Sequence, residues 1–166
     1  FQYDDEDATP MEDGMNSPLL TCLGIMIGFE LLTKFWTGQV EVNRDWQKKF
    51  LDKYTCLNSE KSGFLVRFRN AVAHSYSLTD VTKDGKKIRF ELDADIYKDN
   101  EAVSLDDSGD EKKVYINAWG LNKLFLDSIK KYKKELDDDL GLQCKFYVVQ
   151  RELRNIQIRK SSKSTD

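Results

Sequence analysis

Apolar residues recur every three to four positions between Pro18 and Thr37, and this spacing predicts a first helix over 18–37. Ser17 and Pro18 supply a capping hydroxyl and a residue preset for the first turn, and Gly38 supplies the stop. A second helix is expected from about Arg44 to Cys56, its narrow apolar face marked by Trp46, Phe50 and either Lys53 or Tyr54. A third, from about 60 to 76, sets Phe64, Leu65, Phe68 and Val72 on one side and Arg67, Asn70 and His74 on another. After Tyr76 the period falls to two, with Ile88, Phe90 and Leu92 alternating with polar residues beyond Asp84-Gly85, which predicts a β-hairpin turning there. Residues 98–113 are acidic and hold only Val103 and Leu105 as large apolar residues, so a mobile loop is expected before a short third strand over 114–116. Asn117 is placed to cap a fourth helix reaching about Asp139, with Leu121, Leu124, Phe125, Ile129, Tyr132 and Leu136 facing inward. Leu142, Phe146, Val149, Leu153 and Ile156 repeat at helical spacing and predict a last helix, although 146–149 also suits a strand.

The elements add up to a mainly α protein: a four- to five-helix up-and-down bundle with a β-hairpin or small three-stranded insertion over about 77–116. With 166 residues and 40% hydrophobic content the chain can bury one core. Residues 1–16, with Asp4, Asp5, Glu6 and Asp7 in succession, read as a disordered acidic tail, 17–159 as the helical domain, and 160–166 as a flexible basic and polar tail. The apolar run Leu19 to Leu32 is about 14 residues long and contains Glu30, short of the roughly 20 that a bilayer requires. It reads as a core helix, with no membrane partner, and Gly24 and Gly28 on it permit close packing. No charged-then-apolar leader opens the sequence, which starts at Phe1 as a trimmed chain would.

Charge and cysteines narrow the function classes. A net charge of −3 argues against gripping long duplex nucleic acid through many phosphates, while leaving room for a local cleft. Cys22, Cys56 and Cys144 are odd in number and widely spaced, so neither zinc nor a disulfide framework is expected; they read as small buried residues of a reducing, cytoplasmic compartment. No metal site, glycine-rich phosphate loop or internal repeat is evident, and no cofactor is expected.

The candidate chemistry lies in Arg69-Asn70-Ala71-Val72-Ala73-His74-Ser75-Tyr76, where a permanent cation and the only histidine stand five residues apart. An imidazole moves protons near neutral pH, and a guanidinium can meet the charge that builds on five-coordinate phosphorus with two parallel hydrogen bonds. That pairing suits cleavage of RNA by attack of the neighbouring 2′-hydroxyl. At about 100° per residue, Arg69 lies about 140° round the helix from His74, so the two converge only if the arginine curls over Ala73. The reaction needs both a base and an acid, and one histidine rarely fills both places at once. Two copies about a two-fold axis would supply two His74 and two Arg69 side chains to one cleft, with Ala71 and Ala73 allowing close approach.

The Arg-Asn-x-x-x-His pattern of Arg69, Asn70 and His74 resembles the signature of HEPN domains, small helical bundles of which many are metal-independent ribonucleases in toxin and antiviral systems. Adding Tyr76 makes it similar to the Arg-x-x-x-x-His-x-Tyr form of HEPN toxins paired with nucleotidyltransferase antitoxins, in which that tyrosine is modified. The resemblance implies a homodimer with a composite site, RNA as substrate, tRNA or mRNA among the targets, and a cognate antitoxin or regulatory protein. It implies Arg69 and His74 as catalytic residues, with Asn70 orienting the histidine or the phosphate and Tyr76 in support. The β insertion departs from the compact toxins in which the tyrosine form is best known, and Tyr76 reads as readily as an aromatic closing the helix against the core. The alternative from another class is a non-catalytic dimeric helical module that binds a partner protein or nucleotide. Arg67, the lysines at 130, 131, 133 and 134, and Trp36, Trp46 and Trp119 read as solvated or core residues outside the site.

Overall fold

Ser17 opens the first helix in the computed structural model, which describes residues 17–82, 84–93 and 101–162. Its Oγ accepts from the Leu20 N–H at 3.4 Å, and helix α1 (Pro18–Thr37) ends at Gly38, whose φ of +79° suits a residue without a Cβ. Cys22, Ile25, Met26, Phe29 and Thr33 are buried, and α1 packs against each of the other helices named below. At 20 residues and with few charges, α1 is long and apolar enough to cross a bilayer by length and composition, a test that the core helix of a folded domain also passes. Neither Glu30 nor Lys34 breaks the helix; the two pair with each other one turn apart, and the Glu30 side chain is 17% exposed.

Asn43 caps α2 (Arg44–Tyr54) and Asn58 caps α3 (Ser59–Ser75), each side-chain oxygen accepting an N–H three residues on, at 3.0 and 2.9 Å. Tyr54 rather than Lys53 continues the apolar face of α2. Trp36, Phe50 and Tyr54 meet edge-on or tilted at 4.6–6.3 Å between ring centroids, binding α1 to α2. Phe64, Leu65, Phe68 and Val72 of α3 are buried, as their spacing implies.

Four strands follow: β1 (Thr79–Val81), β2 (Lys87–Asp93), β3 (Val103–Asp106) and β4 (Lys112–Asn117). The turn expected at Asp84-Gly85 joins β1 to β2, with the Thr82 N–H donating to the Lys86 carbonyl at 2.9 Å and Gly85 at φ +84°. The sheet order is β1-β2-β4-β3, with β2 and β4 parallel and both outer pairs antiparallel. This corrects the three-stranded insertion, and β3 corrects the mobile loop over 98–113; residues 94–100 lie outside the described part. Two apolar residues suffice for β3, because Val103 and Leu105 stand opposite Ile116 and Val114 of β4. The acidic character that suggests a loop is absorbed by ion pairs: Asp107 meets Lys86 at 3.3 Å and Lys112 at 2.9 Å, and Glu111 meets Arg89 at 3.2 Å. Phe90 of β2 stands edge-on to Phe68, seating the sheet on α3.

Asn117 caps α4 (Ala118–Asp138) through the Gly120 N–H at 2.8 Å, and one residue later α5 (Leu140–Ser162) begins, Asp139 accepting from the Leu142 N–H at 3.0 Å. Residues 146–149 are helical, with Val149 buried and Phe146 stacked on Phe35. Helix α5 passes the expected boundary at 159, while the tails 1–16 and 163–166 lie outside the described residues. The result is a mainly helical protein with a small mixed sheet between α3 and α4. Cys22 is buried, and burial pushes its thiol up to about 11, whereas Cys56 and Cys144 are exposed, against the expectation of three buried cysteines; all three are free.

Candidate functional site

The last turn of α3 changes sharply in burial. Ala71 and Val72 are buried, and the next four residues, Ala73 through Tyr76, are exposed. His74 therefore faces outward, as its position off the apolar stripe predicts, and the satisfied core histidine is excluded. Arg69, one turn earlier, lies along the surface with 19% of its side chain exposed. Its Nη1 comes within 3.5 Å of His74 Nε2. The 140° between the two positions is thus bridged by the length of the arginine side chain. A guanidinium has donors only, so this long contact is attractive when Nε2 presents its lone pair.

Asn70 occupies a different place from the one its spacing implies. It is buried, at 8% exposure, and its Oδ1 accepts from Arg69 Nη1 at 3.1 Å. It therefore orients Arg69, not His74. Its Nδ2 and the Nε of Arg69 are buried without a hydrogen-bond partner among the described residues, an arrangement that costs stability and marks the cluster as polar and tightly enclosed on its inner side.

Tyr76 is the only non-glycine residue at positive φ among the described residues, at +49°. It closes α3 in the left-handed conformation. Its N–H donates to Val72 and the Ser77 N–H to Ala71, at 3.2 and 3.3 Å, so the last carbonyls are satisfied by main chain. The ring is 94% exposed, which corrects the reading of Tyr76 as an aromatic packed against the core. Arg67 also lies away from the site, paired with Asp80 at 2.8 Å and tying α3 to β1. The lysines at 130, 131, 133 and 134 are exposed, and Trp36 and Trp46 pack against each other.

The residue that sequence reasoning missed is Glu30. Its Oε2 forms an ion pair with Arg69 Nη2 and its Oε1 one with Lys34 Nζ at 3.1 Å, one helical turn along α1. The two partners stand 39 residues apart, so no local spacing reveals the pair. The only signal was a lone carboxylate interrupting an apolar helix.

Two clefts of about 330 and 340 Å³ open elsewhere, meeting at Cys56, Leu124 and Asp127 near the start of α3. Neither is lined by Arg69 or His74. Among the described residues, no three His, Cys, Asp or Glu side chains gather as a metal site requires. Comparison with protein-family models, with curated proteins and with solved structures found no match to this chain.

Proposed function

We propose that the protein is a metal-independent endoribonuclease of the HEPN type, built as an up-and-down helical bundle and acting in the cytoplasm as a toxin or anti-phage effector on single-stranded or loop RNA. The observation that carries the reading is the approach of Arg69 to the exposed His74, because it joins a phosphate-binding cation to the only imidazole at a solvent-facing helix end. In the reaction, an imidazole takes the proton of the 2′-hydroxyl as the 2′-oxygen attacks phosphorus. The P–O5′ bond breaks, and the departing 5′-oxygen receives a proton. The products are a 2′,3′-cyclic phosphate and a 5′-hydroxyl. Arg69 stabilises the charge that develops on the phosphorane oxygens.

One His74 can take the first proton and a second can give the other, which calls for a homodimer with the two motifs facing across a two-fold axis. An exposed apolar stripe on α1 supports this. Leu20, Ile27 and Leu31 point outward, and a Cβ added at Gly24 would meet nothing within 4 Å. The stripe runs beside Glu30, so a second copy seated on it would lie next to the Arg69 cluster. A site assembled between subunits is a patch on each one alone, consistent with clefts that lie elsewhere. Tyr76, fully presented beside His74, is accessible for the modification that the HEPN toxin resemblance implies, and a cognate antitoxin would act there.

A second reading, a non-catalytic dimeric module binding a partner protein or nucleotide, draws on the engagement of Arg69 by Glu30. The two are separated by incubating tRNA and single-stranded RNA in EDTA with wild type, Arg69→Ala and His74→Ala, followed by end-group analysis. Wild type is expected to leave cyclic phosphate ends, with each variant slower by about 100-fold or more. Mixing the two variants is expected to restore part of the activity if both subunits share one site. Absence of cleavage across the panel, or equal cleavage by the variants, favours the binding module.

A further inference from the structure

We infer that Glu30 of α1 is a positioning residue that holds the Arg69 guanidinium toward His74. The consequence for cleavage rests on the ribonuclease reading; the anchoring itself does not. An arginine about 140° round the helix from its target has several rotamers that point elsewhere, and hydrogen bonding within α3 alone does not select one. Asn70 takes Nη1 at 3.1 Å, yet it is the immediate neighbour of Arg69 and fixes only one corner of the guanidinium. Glu30 takes Nη2 from a second helix, so two acceptors on different elements define the plane and leave Nη1 facing His74 Nε2.

Glu30 is itself held. Phe29 and Met26 beside it are almost fully buried, with Phe29 edge-on to both Phe50 and Phe125, so this stretch of α1 is rigid. Lys34 occupies the other carboxylate oxygen, and the Glu30 side chain is 17% exposed. The three charges leave one positive charge uncompensated, enough to attract a phosphate while the carboxylate fixes the geometry. A positively charged pair without Glu30 would repel itself and splay.

The test follows the Arg69 Nε–H signal by ¹⁵N NMR in wild type, Glu30→Gln and Glu30→Ala, with Arg69→Lys to assign it and circular dichroism to confirm folding. An ordered Arg69 signal that becomes mobile in Glu30→Ala and stays largely ordered in the isosteric Glu30→Gln is expected. An unchanged signal in Glu30→Ala overturns the inference. In the RNA assay, Glu30→Ala is expected to lower kcat about 100-fold with KM within about threefold, and Glu30→Gln to recover to within about tenfold of wild type. Faster cleavage by Glu30→Ala would make Glu30 an inhibitory partner and also overturn it. If wild type cleaves no RNA, the ribonuclease reading fails and the NMR comparison still decides whether Glu30 anchors Arg69.

Discussion

Replacing Gly24 and Gly28 by alanine, one at a time, makes the same chemical change twice on one helix, four residues apart. In both cases the helix gains about 1 kcal/mol, because alanine loses less backbone freedom on folding. The surroundings differ. At Gly24 an added Cβ meets nothing within 4 Å. At Gly28 it would lie 2.6 Å from Phe125 Cζ and 2.9 Å from Cε2, where carbon atoms ordinarily sit about 3.5–4.0 Å apart. The ring must retreat by roughly 1 Å, and it is held edge-on by Phe29 at 5.0 Å between centroids. Overpacking of this kind costs about 1–3 kcal/mol. Gly24→Ala is therefore expected to stabilise by about 0.5–1 kcal/mol, and Gly28→Ala to be neutral to about 2 kcal/mol destabilising. The difference of about 1–3 kcal/mol corresponds to several degrees in Tm for a chain of this size. Urea and thermal unfolding at one matched low concentration measure it, since the proposed dimer would make Tm depend on concentration. Equal stabilisation by both substitutions would refute the packing of α1 against α4 through Gly28.

Tyr76→Gly is expected to stabilise the protein by about 0.5–1 kcal/mol, because it relieves a left-handed residue with a Cβ and sacrifices a ring that touches little; a loss of stability in the same unfolding assay would show that the ring makes a contact. Burial, then the nearby Glu135, pushes the Tyr132 hydroxyl up to about 12. Its folded value lies above the ordinary value of about 10, so its stabilising effect is complete below pH ~10 and declines by about 1.4 kcal/mol per pH unit up to about 12. Tyr132→Phe is expected to make that alkaline decline shallower, the remainder coming from the raised Cys22 thiol and Tyr54 hydroxyl, and to cost little at pH 7, where the buried hydroxyl has no partner among the described residues; an unchanged slope would refute the assignment.

Periodicity and end signals are local, and for that reason the helices were legible. The first helix is read with its bounds intact, and the caps at Ser17 and Asn117 and the stop at Gly38 act as their residue types imply. The third helix and the outward face of His74 follow from helical spacing and angular position, and the turn at Gly85 follows from its Asp-Gly dipeptide between segments of period two. The short strand β3 escaped because two apolar residues in an acidic segment carry almost no periodic signal, and its partner β4 lies at a register no local pattern specifies. Asn70 was misplaced because a helical wheel gives direction and not the height of the neighbouring wall; the packed core closes over position 70 and stops before 73.

The sequence by itself determined which residues are candidates for the proposed chemistry, a lone histidine and an arginine five positions before it, since residue type and helical angle need no partner to be defined. Only the tertiary structure decided where the arginine points. Its direction is set by a carboxylate 39 residues away, brought alongside by the packing of α1 on α3, and a contact between distant segments exists only once hydrophobic burial has fixed the helices that bear it.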